Sequence, residues 1–396
     1  MPHALAQAVE LVTTVLAVAG MGYFLTALVA AIVFLARQRA AAPQTAPSVS
    51  ILKSLKGLDP SMMEAFRSHC RQNYAGDYEL LFGVSTLDDP AAAAVLMLKQ
   101  EFPDRAIRLI ECPERLGTNG KVSTLAQLVP DARHEYLLIN DSDITVSSHY
   151  LRGVMAEFTA DITKRAPGKR IVGLVTALYR GQAHGTLPSR LESMGIATDF
   201  HPSVLSARWL EGGLRYGLGS TLAVSREALQ ASGGLEALVD RLADDYELGA
   251  QVYAAGYAVA LSSEVVETSV PAYTWGGFVD HQLRWYRTVR DVRPWGYVGL
   301  IFTFGLCWAL LNVVASGLSL LSLWLLAMSF FLRLALAMMV GTTILGDHQV
   351  LPGLWLLPLR DIVAMGLWVA GFAGNTIVWR GEQFTVERGK LIKVQP

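Results

Sequence analysis

The run from Leu11 to Ala36 carries no charged side chain. As a helix rising about 1.5 Å per residue, it is long enough to cross a hydrocarbon core of roughly 30 Å. In lipid the backbone must satisfy its own hydrogen bonds, so this run admits little besides a helix. It is also too long for the apolar region of a secretory leader, and Met1 to Glu10 has no Lys or Arg, so a retained anchor is expected. Arg37 and Arg39 follow the run and place the next segment in the cytoplasm by the positive-inside rule.

A second apolar region runs without charge from Tyr297 to Leu332 and continues past Arg333 to Leu345. It predicts two spans joined by a tight turn near Ser316–Ser319. A further span is expected over Ile362–Trp379, opened by the oppositely charged neighbours Arg360 and Asp361. Leu351–Leu359, with two prolines, reads as interfacial or re-entrant. Four spans would leave the C-terminus outside, whereas Arg380, Arg388, Lys390 and Lys393 favour the inside; the sequence leaves that conflict open.

The 52% hydrophobic content and mean hydropathy of +0.35 fit a chain only partly in lipid. With 33 basic and 34 acidic residues there is no cationic excess for nucleic acid. The three cysteines, Cys70, Cys112 and Cys307, are far apart and form no CxxC pair, which argues against a disulfide framework or a zinc site and suits a reducing compartment.

Residues 41–295 have globular composition and follow a small-residue linker, Ala41–Pro47. Strand-type runs are expected at Ser48–Leu52, Tyr78–Ser85, Ile107–Glu111 and Tyr136–Asn140. Helices are expected at Ser61–Asn73, Ala91–Phe102 and Val122–Leu128, and again over Tyr246–Ala255. The alternation predicts an α/β fold with a mainly parallel sheet, whose ligands bind beyond the carboxyl ends of the strands.

Acidic motifs follow those strands. Asp88-Asp89-Pro90 suits contact with a nucleobase or ribose, and equally a turn or helix cap. Asp141-Ser142-Asp143 leaves a buried strand; its two carboxylates suit a ribose and a divalent cation, Mg²⁺ or Mn²⁺, that bridges a diphosphate. Asp244-Asp245, before a helix, suits either a general base or an acidic first turn. In His281-Gln282-Leu283-Arg284-Trp285, Arg284 suits a departing diphosphate and Trp285 the wall of an acceptor pocket; a basic interfacial helix would use the same residues. Gly117-Thr118-Asn119-Gly120-Lys121 is a Gly-rich loop suited to phosphate, although it lacks the full P-loop pattern. His201-Pro202 suits substrate orientation or a structural role.

The order of these motifs resembles the inverting GT-A glycosyltransferases and, within them, the ceramide glucosyltransferase family. The likeness covers Pro47 to Trp285. It includes Val49 to Pro60, Asp88-Asp89-Pro90-Ala91, Gly117 to Val122, Asp141-Ser142, His201-Pro202, Asp245-Tyr246 and Arg284-Trp285. The chain is also similar in these motifs to hopanoid-biosynthesis glycosyltransferases, which add an N-acetylhexosamine to a polyol-bearing lipid.

The resemblance implies a Rossmann-like mixed sheet in a GT-A domain over 41–295, ending in an interfacial helix. This domain would lie between a membrane anchor (1–40) and a membrane block (296–380), with a polar tail at 381–396. It implies one-step transfer, with inversion, from a UDP-sugar to a membrane lipid hydroxyl, ceramide receiving glucose or a hopanoid receiving N-acetylglucosamine. The bilayer would be an inner membrane with the enzyme domain on its cytoplasmic face. Asp88 or Asp89 would meet the uridine, with Lys56 and Lys121 alongside. Asp141 and Asp143 would sit at the diphosphate and metal. Asp245 would be the base, Arg284 and Trp285 the arginine–tryptophan element, and His201, Asp244 and His281 positioning groups. His281 departs from the residue that usually opens that element. A processive polysaccharide synthase would share the motifs but needs more spans, and a transporter would show internal repeats, which are absent from the sequence.

Overall fold

Strand β1 (Val49–Ser54) pairs in parallel with β2 (Tyr78–Val84) on one side and β4 (Tyr136–Ile139) on the other, and β2 pairs in parallel with β3 (Ala106–Glu111). All seven residues of β2 are buried, the near-continuous apolar reading of a strand covered on both faces. This is a computed structural model that describes residues 3–37, 46–59, 61–164, 170–379 and 382–393. Arg39, Ala41 to Thr45 of the expected linker, Pro60 and Arg380 lie outside those ranges.

Beyond β4 comes β6 (Leu222–Ser225), antiparallel to both β4 and β5 (Val172–Ala183); β7 (Ala258–Val270) then pairs in parallel with β5. The result is a seven-stranded mixed sheet of order β3-β2-β1-β4-β6-β5-β7. The strands and helices expected between residues 48 and 140 are found within a few residues of their expected bounds.

Helices cover both faces. Those used below are α1 (His3–Arg37), α2 (Met62–Cys70), α3 (Pro90–Glu101), α4 (Gly120–Leu128), α5 (Tyr150–Lys164), α6 (Leu187–Gly195), α7 (His201–Leu210), α8 (Arg226–Ala231), α9 (Asp244–Ala254) and α10 (Trp275–Val292). A π-turn, Ile196–Phe200, joins α6 to α7; such widened turns recur at functional sites.

In the membrane block, α11 (Pro294–Gly299) bends into α12 (Gly305–Ala315), and α13 (Leu320–Ala337) extends helically to Ile344. The expected turn at Ser316–Ser319 is present, with Gly317 and Leu318 at positive φ and the Ser319 side chain capping α13. Among the described residues three helices are long and apolar enough to cross a bilayer, Ala4–Ala36, Leu320–Ile344 and Val350–Gly371, and the bent pair Pro294–Thr303 with Gly305–Ala315 makes a fourth candidate. Helices α1 and α12 meet at Gly20 and Gly305, where any Cβ would collide with the facing backbone. Asn312 adds bonds to Thr13 Oγ1 (3.0 Å) and Thr14 Oγ1 (2.8 Å).

Two expectations for the C-terminal part change. The span placed at Ile362–Trp379 is instead a helical stretch that begins at Val350, takes in the proline-containing Leu351–Leu359, and ends at Gly371 with α15 (Leu357–Gly371) after α14 (Val350–Gly353). Both ends are held on the globular domain. Gln349 accepts from Ala183 N (3.0 Å) and donates to Gly181 O (2.8 Å), while Arg287 and Arg290 of α10 donate to Ala373 O (2.9 Å) and Gly374 O (2.8 Å). The segment expected as a polar tail folds as well. Strands β8 (Thr376–Trp379), β9 (Glu382–Glu387) and β10 (Lys390–Lys393) form an antiparallel sheet. Leu242 N donates to Gly389 O (3.1 Å) and Leu391 N to Asp240 O (2.8 Å), and Leu242 joins Ile377, Phe384 and Leu391 in one small core. Alternating apolar positions in Phe384, Val386 and Leu391 supplied the buried face; the lysines and arginines masked it.

The C-terminal apolar helices are keyed to the globular domain by charge. Arg333 of α13 donates to Asp361 (2.7 Å) and to Thr198 O (2.7 Å), and pairs with Asp199; Arg360 lies 3.2 Å from Asp199. Arg333, Arg360 and Asp361 are buried. The charges that interrupt the apolar runs thus meet one another at the π-turn.

Candidate active site

The site forms where β4 runs out at Ile139. The chain there continues into Asn140-Asp141-Ser142-Asp143, at the carboxyl edge of the parallel strands, the place expected from the fold class. Asn140 is buried, and its side-chain amide donates to Ser220 O (2.6 Å) and Tyr150 Oη (3.0 Å), which fixes the strand exit. Under it lies Lys53 of β1, fully buried, with Nζ donating to Asp141 O at 2.9 Å. Burial drives this lysine down to about 7, against the pull of Asp141 and Asp143.

The Asp141 carboxylate is 42% exposed and takes Lys121 Nζ at 2.7 Å; the same ammonium lies 3.3 Å from Asp244 Oδ2. Burial works against the charged Lys121, but the Asp141 and Asp244 carboxylates outweigh it and hold the ammonium protonated above its ordinary value. Asp141, Lys121 and Asp244, predicted from three separate motifs, are therefore in direct contact.

Asp245 is beside them in the first turn of α9. Its Oδ1 accepts from Tyr246 N (2.8 Å), and a Cβ on Gly219 would stand 2.9 Å from its Oδ2. The absence of a side chain at Gly219 is what lets the carboxylate lie there. Burial, then the Asp244 charge, push Asp245 up to about 6, with Lys121 opposing. A carboxyl group balanced near that value suits proton transfer at neutral pH.

Asp143 is tied to β7. Its Oδ2 accepts from Thr268 Oγ1 (2.6 Å) and Ser269 N (3.2 Å) at the end of β7, and burial followed by the Asp141 charge raises it. The donor chemistry fits a hard divalent cation. Such an ion needs only one or two protein carboxylates when phosphate oxygens complete its shell, and Asp141 and Asp143 are oxygen donors on one strand exit. They do not form a closed cage: among the described residues no group of three or more His, Cys, Asp or Glu side chains is placed to hold a metal.

The Gly-rich loop is anchored at its N-terminal side. Three of its amides are spent within the protein: Thr118 N on Asp240 Oδ1 (2.8 Å), Asn119 N on Val239 O (2.7 Å) and Gly117 N on Ser123 Oγ (3.3 Å). Asn119 caps α4 through Val122 N (3.2 Å) and ties the loop to Arg241 O (2.9 Å). The loop is a clamp that sets Lys121 against Asp141 and Asp244.

Asp89 is likewise committed to the backbone. It accepts from Gly57 N (2.9 Å), where φ is +68°, and from Ala91 N (2.9 Å) as the cap of α3. Its neighbour Asp88 is exposed, as is Lys56. Asp59, on the Lys56 loop, accepts from Ser142 and joins that loop to the strand exit.

A wall of rings borders the acidic cluster. Tyr179 of β5 stands 5.7 Å from Phe200, which is 6.1 Å from Trp285 of α10, and His281 lies 5.4 Å from Trp285. The Tyr179 hydroxyl is raised by burial and by the charges of Asp245, Glu192 and Asp141, so the rings and the acids share one region. Arg284 lies on α10 one residue before Trp285, and its charge reaches the Tyr273 hydroxyl. His281 stacks on Tyr273 and places Nδ1 3.1 Å from Glu192 Oε2. His201 is fully buried; its Nε2 accepts from Tyr179 N (3.3 Å), and burial drives it down to about 3, a neutral strut behind the ring wall.

Lys53, Glu192 and Gly219 were missed as site residues. A lysine inside an otherwise apolar strand, Val49-Ser50-Ile51-Leu52-Lys53, is a visible signal for the first. Glu192 sits in a polar helix segment, and nothing local distinguishes it.

The family model for glycosyl transferase family 21 matches residues 12–392. Ceramide glucosyltransferase 3 of Caenorhabditis elegans is 24% identical over 356 residues, covering 87% of this chain and 74% of its own. Ceramide glucosyltransferase 1 of the same organism is 23% identical over 363 residues, covering 88% and 74%. Among solved structures, the mannosyltransferase PcManGT from Pyrobaculum calidifontis, in complex with GDP-Man and Mn²⁺, superposes with a TM-score of 0.50 at 20% identity, covering 90% of this chain and 97% of that one. That likeness shows the GT-A fold.

Proposed function

This chain belongs to glycosyl transferase family 21, and from that premise we propose that it transfers one glucose from UDP-glucose to the hydroxyl of a ceramide-type membrane lipid, inverting the anomeric carbon. One observation carries the reading: Asp141, Lys121, Asp244 and Asp245, distant in sequence, converge at the carboxyl edge of the sheet beside the Trp285 wall. The ceramide glucosyltransferases it resembles favour that lipid and sugar.

In this reading Asp88 and Lys56 line the nucleoside end of the donor, and Asp141 with Asp143 would hold Mg²⁺ or Mn²⁺ at the diphosphate. When bound, that ion neutralises charge on the leaving group. Arg284 adds fixed positive charge as UDP departs; stabilisation that grows with the developing charge lowers the barrier more than it tightens substrate binding. Asp245 takes the proton of the acceptor hydroxyl as its oxygen attacks the anomeric carbon from the face opposite UDP, which yields a β-glycoside. Lys121 keeps Asp245 ionised against the push of Asp244. Trp285 and Phe200 border the position of the acceptor lipid, and His281, held on Glu192, orients Trp285.

The membrane block brings the acceptor. Carrying a lipid through water costs about 0.8 kcal/mol per CH₂, so delivery from the bilayer favours an enzyme seated on it. Because both ends of Val350–Gly371 are fastened to the globular domain, this helix rests on the membrane face, and α1, the α11–α12 bend and α13 cross. An odd number of crossings returns the C-terminus to the catalytic side, in keeping with Arg388, Lys390 and Lys393.

The test is Asp245→Asn in the purified full chain. UDP-glucose binding should persist while glucosylceramide formation drops about 100-fold or more. Unchanged turnover would remove Asp245 from the base role.

A further inference from the structure

The segment after Gly371 returns to the active site. Val239 to Leu242 lie just before Asp244 and Asp245, and two elements hold them from different sides. The first is the Gly-rich loop, which is laid along them residue by residue. A Cβ on Gly117 would stand 2.6 Å from Val239 O, so a glycine is needed for the two backbones to come this close. Thr118 donates to Asp240 Oδ1 through both its N (2.8 Å) and its Oγ1 (2.9 Å). Asn119 Nδ2 donates to Arg241 O (2.9 Å) and lies 3.4 Å from Asp244 Oδ1. Lys121 comes two residues later.

The second element is the tip of the β9–β10 hairpin. Its two turn residues, Arg388 and Gly389, have φ of +51° and +80°, as a tight two-residue hairpin turn requires. Their carbonyl oxygens accept from Arg241 Nη1 (3.0 Å) and Leu242 N (3.1 Å), and Leu391 N donates to Asp240 O (2.8 Å). The same sheet is fastened to α10, the helix that carries Arg284 and Trp285: Gly389 N donates to Asp291, and Arg287 donates to Thr376 O. One small sheet therefore touches both the arginine–tryptophan helix and the segment leading into Asp245. Asp240 is the point where the two elements meet. The sheet holds its main-chain oxygen, and its carboxylate holds the loop. The two Thr118 donors keep that carboxyl below the usual aspartate value, so it is ionised and accepting at neutral pH.

Resting on the roles given above to Asp245 and Lys121, we propose that Asp240 is a positioning residue: held by the C-terminal hairpin, it fixes the Gly-rich loop so that the Lys121 ammonium meets Asp141 and Asp244. A lysine side chain is long and flexible, and it stays between two carboxylates, at 2.7 and 3.3 Å, at least entropic cost when its backbone is already fixed. Asp240 acts only through Lys121. The folded C-terminal segment is then part of the catalytic scaffold, although it lies beyond the last apolar helix in sequence.

The test is a double-mutant cycle on the full chain in nanodiscs, with UDP-glucose and a short-chain ceramide. Asp240→Ala removes the acceptor and should lower kcat/KM about fivefold, the scale of one or two lost hydrogen bonds. Asp240→Asn keeps Oδ1 as an acceptor and should regain most of that loss. In a Lys121→Gln background Asp240→Ala should cost less than about twofold, because the group it positions is already gone. Gly389→Val acts on the hairpin tip alone. A β-branched residue is strained at φ +80°, and kcat/KM should fall about threefold or more as the tip shifts. Equal losses from Asp240→Ala in the native and Lys121→Gln backgrounds would make Asp240 a merely structural residue and overturn the proposal. So would unchanged kcat/KM in Asp240→Ala or in Gly389→Val, or an Asp240→Asn as slow as Asp240→Ala. Each of those results leaves native glucosylceramide synthesis standing. If the native chain glucosylates no ceramide, the function proposed above falls first, and this inference with it.

Discussion

Two clusters of charge lie within this molecule, and they are built on opposite terms. At the π-turn, Arg333 and Arg360 face Asp199 and Asp361: two cations, two anions, in contact and mostly buried. At the exit of β4, the carboxylates of Asp141, Asp244 and Asp245 gather around the ammonium of Lys121, with Lys53 buried beneath Asp141, and Asp141 is open to solvent. A balanced cluster of buried charge has little reason to accept a visitor. It fixes the register between membrane helices and domain, because each charge is costly to bury without its partners. The unbalanced cluster holds surplus negative charge at an open edge, where a divalent cation, a phosphate-bearing donor and a proton can all be accommodated. Net charge at a site, more than the number of ion pairs, separates the mortise from the workplace.

The comparison is broken most severely through Arg333. Arg333→Met leaves the buried Asp361 and the half-buried Asp199 without their main partner and should destabilise the fold by about 3–5 kcal/mol, read as lost yield or a lowered midpoint of thermal unfolding in detergent. A variant as stable as the native chain would show that the cluster does not key the two parts together.

Removing the cation on the other side should act on chemistry. Lys121 lowers Asp245, so Lys121→Gln should move the acid limb of the kcat/KM profile, set in the native chain near Asp245's value of about 6, to higher pH. Activity at pH 7 should drop about tenfold while the fold survives. An unmoved acid limb would separate Lys121 from Asp245.

The smallest effect concerns stability. Asp245 is raised to about 6 in the folded chain, against about 3.9 for a solvated aspartate. Between those values the folded state holds the extra proton, so this group's contribution to stability falls as pH rises through about 6. At pH 7 Asp245→Asn should therefore stabilise the protein by on the order of 1 kcal/mol, less than the full shift because the carboxylate is partly open to solvent. Its thermal midpoint should exceed that of the native chain at pH 7 and converge with it near pH 4. A lower midpoint at pH 7 would mean that the carboxylate is not held under strain.

Much of the donor half was legible from local pattern. A buried parallel strand announces itself as an apolar run, and Asp141 stands out directly after one; Asp245 reads equally as an acidic first turn, and only its place in the fold separates the two. Asp89 was read one step too far. Backbone donors and caps are satisfied locally, and the sequence does not tell whether Asp89 is spent on Gly57 and Ala91 or kept for a ligand. Lys53 was hidden in plain view within its strand.

The sequence alone determined the anchor, the alternating sheet and helices, and the residues able to do acid–base and phosphate chemistry, because those follow from periodicity and side-chain type over short distances. Tertiary structure decided which charges balance and which remain in surplus, that Val350–Gly371 is fastened to the domain at both ends, and that the basic C-terminal segment folds as a sheet on Leu242. Each depends on partners far apart along the chain, and the energy of a charge is set by what surrounds it in space and not by its neighbours in order.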